Sequence, residues 1–171
     1  MATDRDRGTQ PYQLRNIRLM ELYRLSRDIH GKVLSGKGAS ISGGRWNSPG
    51  TEIIYTATNR SLAMAEVAVH FSIATLPAGY MMMTIHVPDS VSISEVDIKA
   101  LPDGWNQFPP LKETQQYGDQ FITDGKTCLL KVPSAVTQGD FNFLINPLHP
   151  EFKKIKITGY EPFPFDRRLF R

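Results

Sequence analysis

The apolar runs of this chain follow an order that is neither strand–helix–strand–helix nor repetitive, and that order constrains the fold more than any other feature. Seven segments carry the β-branched, aromatic or alternating character of strands: MELYRLS (20–26), EIIYTAT (52–58), GYMMMTIHVP (79–88), SVSISEVD (90–97), TCLLKVPSAV (127–136), FNFLINP (141–147) and FKKIKITGYEPF (152–163). Two segments read as helix. NRSLAMAEVAVHFSIA (59–74) begins at Asn59, a good N-cap, and places Leu62, Glu66, Val69 and Ile73 on one face; LKETQQYGDQFIT (111–123) is the shorter one. Residues 27–50, with six glycines and four serines, read as a long loop or short hairpin region, and 101–110 as a loop. Strands outnumber helices without βαβ alternation, so the expected class is α+β. Residues 1–19 form a polar N-terminal extension, and residues 20–171 a single, mostly β domain with a few helices.

Charge and composition then narrow the function. The net charge of +3 and pI near 9.0 are mildly basic, but the cations are scattered except at the two ends. No basic stripe marks a nucleic-acid surface. The single Cys128 excludes an internal disulfide and fits a reducing cytosol. The polar start MATDRDRGTQ lacks an apolar signal core, and no run approaches the roughly 20 residues that cross a bilayer. A soluble, cytoplasmic protein without membrane contact is expected. GxGxxG, the Walker lysine loop, HExxH, CxxC and GxSxG are all absent, and His30, His70, His86 and His149 are too dispersed for a metal site. Kinases, metalloenzymes and ordinary esterases are thereby disfavoured, and no metal is expected.

A few residues carry positive signals. Glu66 lies on the apolar face of its helix, where a carboxylate costs several kcal/mol, in rough terms, unless its charge is answered. It is either a structural salt-bridge or edge residue, or an acid aimed into a cleft. Arg24 sits between Tyr23 and Leu25 in the first strand, and Arg45 in the segment SGGRWNSPG (42–50). Arginine forks two donors toward carboxylate or phosphate, and glycines let backbone approach an anion closely. Tyr55 is placed to stack on a planar ring. Solvent exposure for Arg45 and core packing for Tyr55 and Trp46 are the plain alternatives. Together, two cations, an aromatic and an inward acid suit an anionic ligand that bears a ring.

The ordered set LYRLS, GGRWNSPGTEIIYTATNRSLAMAEVAVH, LPDGWN, YGDQFI, LLKVPSAV, FNFLINPLHPEF and PFDRRL resembles the RES domain, over about residues 20–170. The resemblance implies a fold like that of ADP-ribosyltransferases, and a bacterial toxin of a RES–Xre toxin–antitoxin module that degrades NAD⁺ at the nicotinamide–ribose bond. NAD⁺ is then the substrate, and an Xre-type antitoxin the inhibitory partner, which takes any DNA-binding role. By position, Arg24 and Arg45 match the family's arginines, Tyr55 its tyrosine, Glu66 its glutamate and Ser134 its serine. The implied roles are transition-state stabilisation and ribose positioning by Glu66, and a pyrophosphate clamp by Arg24 and Arg45. Tyr55 would stack on nicotinamide, Ser134 would bond the ribose or diphosphate, and Asn47 would join the cofactor-binding loop. By itself, Ser134 reads equally as a turn serine behind Pro133. Two other classes stay open: transfer of ADP-ribose to a protein, and a non-catalytic partner-binding module. The acceptor, whether water, phosphate or protein, is open as well.

Overall fold

Met20–Arg27 (β1) and Tyr80–Val87 (β3) pair antiparallel along their whole length, from Met20 opposite Val87 to Arg27 opposite Tyr80, and form the spine of the sheet. This is a computed structural model, describing residues 20–71 and 78–170. Five more strands join that spine: Ile54–Ala57 (β2), Ile93–Glu95 (β4), Leu129–Pro133 (β5), Phe141–Ile145 (β6) and Lys156–Pro162 (β7). The order across the sheet is β4-β5-β6-β2-β1-β3-β7, antiparallel throughout except for the parallel β4–β5 edge. Among the described residues, three α-helices complete the α+β fold: Lys37–Ser42 (α1), Arg60–Ala68 (α2) and Lys112–Asp124 (α3).

The strands alternate in what they bury, because successive side chains leave opposite faces of a pleated sheet. One face holds Leu22, Ile54, Met83, Ile85, Leu129, Phe143 and Ile145 in a shared apolar cluster. On the other face, Leu25, Ala57 and Met82 pack under α2, while Leu130, Val132 and Leu144 meet Trp46, Ile53 and Phe121. The site belongs to this second face. Between β1 and β2 only Tyr23 and Ala57 are in register, so the strands part beyond that point and leave a cleft.

Two helices differ from the sequence reading. Within 27–50, the segment KGASIS forms α1, closed by Gly43 at φ 72°. Glycine reaches that left-handed backbone without a Cβ clash. Six residues are too short for periodicity to announce a helix, and this one is held from outside: Asn47 Nδ2 donates to the Ala39 carbonyl at 2.9 Å. In the second case, α2 begins as expected, with Asn59 Oδ1 accepting the Leu62 N–H at 2.8 Å. It ends at Ala68, however, and Val69 is 58 % exposed, so Val69 does not share a buried face with Leu62 and Glu66. Ile73 and the rest of that proposed helix after residue 71, like the 1–19 extension, lie outside the described residues. The expected helix at 111–123 is α3, and the 101–110 loop is irregular as read.

Helix α3 positions the glycine-rich segment. Its buried residues Thr114, Gly118 and Phe121 recur at helical spacing and face inward. Gly118 lies so close to the Trp46 carbonyl that a Cβ there would stand 1.7 Å from the oxygen. Alongside that contact, Gln115 Nε2 donates to the Gly44 carbonyl at 3.0 Å, and Asp119 Oδ1 accepts the Ser48 N–H at 3.0 Å. Trp46 is 2 % exposed and packs against Trp105 and edge-on to Tyr117. The indole anchors the segment to the core, as expected.

Candidate active site

Where β1 and β2 part, a cavity of about 1180 Å³ opens. Its walls include Tyr23, Arg24, Arg45, Tyr55, Glu66 and Asn142. That volume exceeds the ordinary range for drug-sized ligands and suits something as large as a dinucleotide. Glu66 and both arginines thus border one hollow.

Glu66 projects from α2 toward the ends of β5 and β6. Its Oε1 accepts two hydrogen bonds, from Ser134 Oγ at 2.7 Å and from Asn142 Nδ2 at 2.5 Å. Among the described residues, Oε2 accepts none, and no cation lies within ion-pair distance of the carboxylate. The salt-bridge alternative for Glu66 therefore gives way to two neutral donors that fix one oxygen and leave the other to the cavity. Donors of this kind hold a carboxylate in place without cancelling its charge.

Arg45 stands on the glycine-rich segment, and its Nη1 donates to the carbonyls of Trp105 at 2.6 Å and Gln107 at 2.8 Å. Partial burial lowers its pKa, and the charge of Glu66 opposes that shift. Arg45 and Glu66 therefore sense one another across the cavity. Arg24 differs. Its pKa is lowered by burial alone, with no counter-charge, and its Nη1 is buried with no partner among the described residues. Arg24 is thus half-buried at the cavity with one donor unspent among the described residues.

Tyr55 borders the cavity with its ring, while its hydroxyl is committed elsewhere. It donates to Asn47 Oδ1 at 2.7 Å and accepts the Trp46 N–H at 3.0 Å. Burial raises the phenol pKa above its usual value and keeps it neutral, although the Trp46 bond and Arg45 oppose the shift. Gly44 has to be glycine for this contact, since a Cβ there would lie 2.6 Å from the Tyr55 oxygen.

Two residues assigned to direct ligand contact have other duties. Asn47 is fully buried; its Nδ2 donates to the carbonyls of Ala39, Ser48 and Thr51, and its Oδ1 takes the Tyr55 proton. No donor or acceptor is left for a cofactor, so Asn47 is the framework of the loop. Ser134 follows β5 and is 4 % exposed. Its proton goes to Glu66, and its oxygen accepts the N–H groups of Val136 and Thr137 at 3.1 and 3.0 Å. Ser134 does not border the cavity, and it reaches the chemistry through Glu66.

Asn142 is the residue that sequence reasoning missed. It is the second residue of β6, opposite Ala57 on one side and Val132 on the other. The available signal was a polar side chain between Phe141 and Phe143 in an otherwise apolar strand. The cavity rim also carries Phe108, 81 % exposed, and the exposed His70. Among the described residues no group of three or more His, Cys, Asp or Glu could hold a metal ion, and no helix is long and apolar enough to cross a membrane.

Known proteins resemble this chain in sequence and in fold. The family model described as RES domain matches residues 21–166. A protein of Sphingobium sp. (strain YBL2) named "Prs ADP-ribosylating toxin" is 41 % identical over 148 residues, covering 85 % of this chain and 92 % of that protein. A "Toxin Res" of Pseudomonas putida KT2440 is 39 % identical over 139 residues, covering 80 % and 92 %. Among solved structures, a chain of the M. tuberculosis MbcT–MbcA toxin–antitoxin complex superposes with a TM-score of 0.68 at 20 % identity, over 89 % of this chain and 87 % of that one, a likeness of fold. With a family match spanning Arg24, Arg45, Tyr55, Glu66 and Ser134, this chain belongs to the RES domain family.

Proposed function

We propose that this protein is the toxin of a toxin–antitoxin pair and cleaves NAD⁺ at the bond between nicotinamide and ribose. The observation that carries the reading is the pairing, in one cavity, of a carboxylate with one unbonded oxygen and a half-buried arginine whose Nη1 has no partner among the described residues. NAD⁺ presents the complementary groups: a pyrophosphate for Arg24 and a ribose that becomes positive during cleavage for Glu66.

In the reaction, the C1′–N bond breaks and its electron pair moves onto the pyridinium nitrogen, so nicotinamide leaves neutral. Positive charge builds on C1′ and the ring oxygen of the ribose. A fixed carboxylate stabilises that charge, the role one takes in glycoside hydrolysis. An acceptor oxygen then bonds to C1′; with water, a proton is released to solvent and ADP-ribose forms. Ser134 and Asn142 keep Glu66 from swinging to meet the arginines, so its charge is in place before the bond lengthens. Tyr55 offers an uncharged ring beside the departing base.

Transfer of ADP-ribose to a protein is the second reading, favoured by the name of the Sphingobium relative. Both readings share the cleavage step and differ in the acceptor. Incubating the purified protein with NAD⁺, with and without phosphate and cell extract, and identifying all products by mass spectrometry separates them. Nicotinamide with ADP-ribose marks hydrolysis, and ADP-ribose 1″-phosphate marks phosphorolysis. Nicotinamide release that needs extract and labels a protein marks transfer. Intact NAD⁺ under all three conditions overturns the proposal.

A toxin acting on cytoplasmic NAD⁺ needs an inhibitor in its own cell. The neighbouring M. tuberculosis structure is a toxin–antitoxin complex, in line with an antitoxin partner of the Xre type implied by the resemblance.

Arg24 supplies a test with two signs. Arg24→Met keeps the length of the side chain and removes the half-buried charge. It is expected to raise folding stability slightly, since a guanidinium drawn partly out of water with no charge partner among the described residues opposes folding. The same change is expected to weaken NAD⁺ binding. Chemical denaturation and calorimetric titration of the variant check the two effects.

A further inference from the structure

Asn142 is 8 % exposed, borders the cavity, and uses only half of its amide. Its Nδ2 donates to Glu66 Oε1, while its Oδ1 is buried with no partner among the described residues. The orientation follows from chemistry. A flipped amide would set its oxygen against the Glu66 carboxylate, acceptor against acceptor, so the carbonyl has to face away from Glu66. A buried carbonyl without a donor is rare in folded proteins, and here it belongs to a residue that lines the cavity, just behind its surface, beside an acid whose Oε2 also has no partner among the described residues.

Resting on the NAD⁺ reading above, we propose that Asn142 is a substrate-binding residue whose Oδ1 accepts a hydroxyl proton of the nicotinamide-side ribose, while Glu66 Oε2 accepts that of its neighbour. The two acceptors together read a vicinal diol. A phosphate carries only acceptors at this end, so the same wall repels it and leaves the pyrophosphate to the arginines. The pair thereby sets the direction in which the dinucleotide lies. Asn142 occupies the start of a strand paired on both sides, which fixes its position without help from the ligand.

The test crosses the protein with the substrate. Wild type and Asn142→Ala are compared, by kcat/KM for nicotinamide release, on NAD⁺, on its two analogues lacking one or other hydroxyl of the nicotinamide-side ribose, and on thionicotinamide adenine dinucleotide. Wild type is expected to lose roughly 10- to 100-fold on each monodeoxy analogue, because a site built to bond a hydroxyl rejects a substrate without it. Asn142→Ala also loosens Glu66 and so slows every substrate. Its loss should nevertheless be at least 10-fold smaller on one of the monodeoxy analogues than on NAD⁺. An equal loss on all substrates overturns the proposal and leaves Asn142 as a support for Glu66 alone. Coupling to the thionicotinamide analogue in place of a hydroxyl overturns it in favour of the carboxamide. Wild-type discrimination under about 3-fold against either deoxy analogue also overturns it, with no variant required. Failure of wild type to release nicotinamide from NAD⁺ removes the parent reading, a distinct outcome.

Discussion

Glu66→Gln is expected to lower kcat for nicotinamide release from NAD⁺ by about 10²- to 10³-fold, or roughly 3–4 kcal/mol of transition-state stabilisation. Glutamine keeps the shape of the side chain, and its Oε1 can still accept from Ser134 and Asn142. The negative charge is lost and the free Oε2 becomes an NH₂ donor, but both internal bonds to Oε1 survive, so the fold and its melting temperature should change little. KM should rise much less than kcat falls, because the charge matters most as the ribose turns positive, whereas Oε2 supplies a single bond to the bound substrate. Single-turnover release of nicotinamide, beside circular dichroism of both proteins, measures the two quantities. A variant that is folded and cleaves at the wild-type rate would remove Glu66 from the chemistry. Ser134→Ala supplies the milder companion: it withdraws one of two donors from Glu66 and should cost less than the charge itself.

The second large effect is on stability. In Gly118→Ala, the new Cβ would stand 1.7 Å from the Trp46 carbonyl oxygen and 2.9 Å from Ile53 Cδ1. The carbonyl belongs to backbone anchored by a buried indole and cannot rotate away. Helix α3 has to lift off the glycine-rich segment, straining the Gln115–Gly44 and Asp119–Ser48 bonds as it goes. Overpacking of this severity is expected to destabilise the protein by about 3 kcal/mol or more, against the gain that alanine normally brings to a helix. The midpoint of chemical denaturation checks it, and an unchanged midpoint would mean that α3 docks more loosely than described. Because Arg45 stands beside Trp46, the loss should reach catalysis as well. A stabilising change in α3 that leaves Gly118 alone should not affect turnover.

Much of the architecture was legible along the chain. Each of the seven strand-like segments contains a strand, since alternation and β-branched residues act locally. α3 was legible for the same reason, and the N-cap of α2 was visible in Asn59. The far end of α2 was not. Val69 and Phe71 continue the apolar character of the helix along the chain, yet Val69 is exposed and Phe71 lies beyond the helix end, edge-on to Tyr80 and Phe165. Helix α1 was hidden because its support comes from Asn47, a residue beyond its own length.

The site divides along similar lines. Residue types alone marked Arg24, Arg45, Tyr55 and Glu66 as chemically able, and family resemblance added Ser134. The structure places the first four around one cavity and sets Ser134 behind Glu66. Asn47 had the right chemistry for a ligand and the wrong surroundings, with every polar atom spent on the loop it organises. Asn142 had no motif to announce it, and it gains its meaning from the strands that bring it under α2.

What the amino-acid order determined by itself was the set of strands, the capped start of one helix, and the residues with charge to offer. Only the tertiary structure decided which polar atoms were already satisfied and which remained open to a ligand. The physical reason is that hydrogen-bond partners here lie 60 to 76 positions apart for Arg45 and Glu66, a distance that no local pattern encodes.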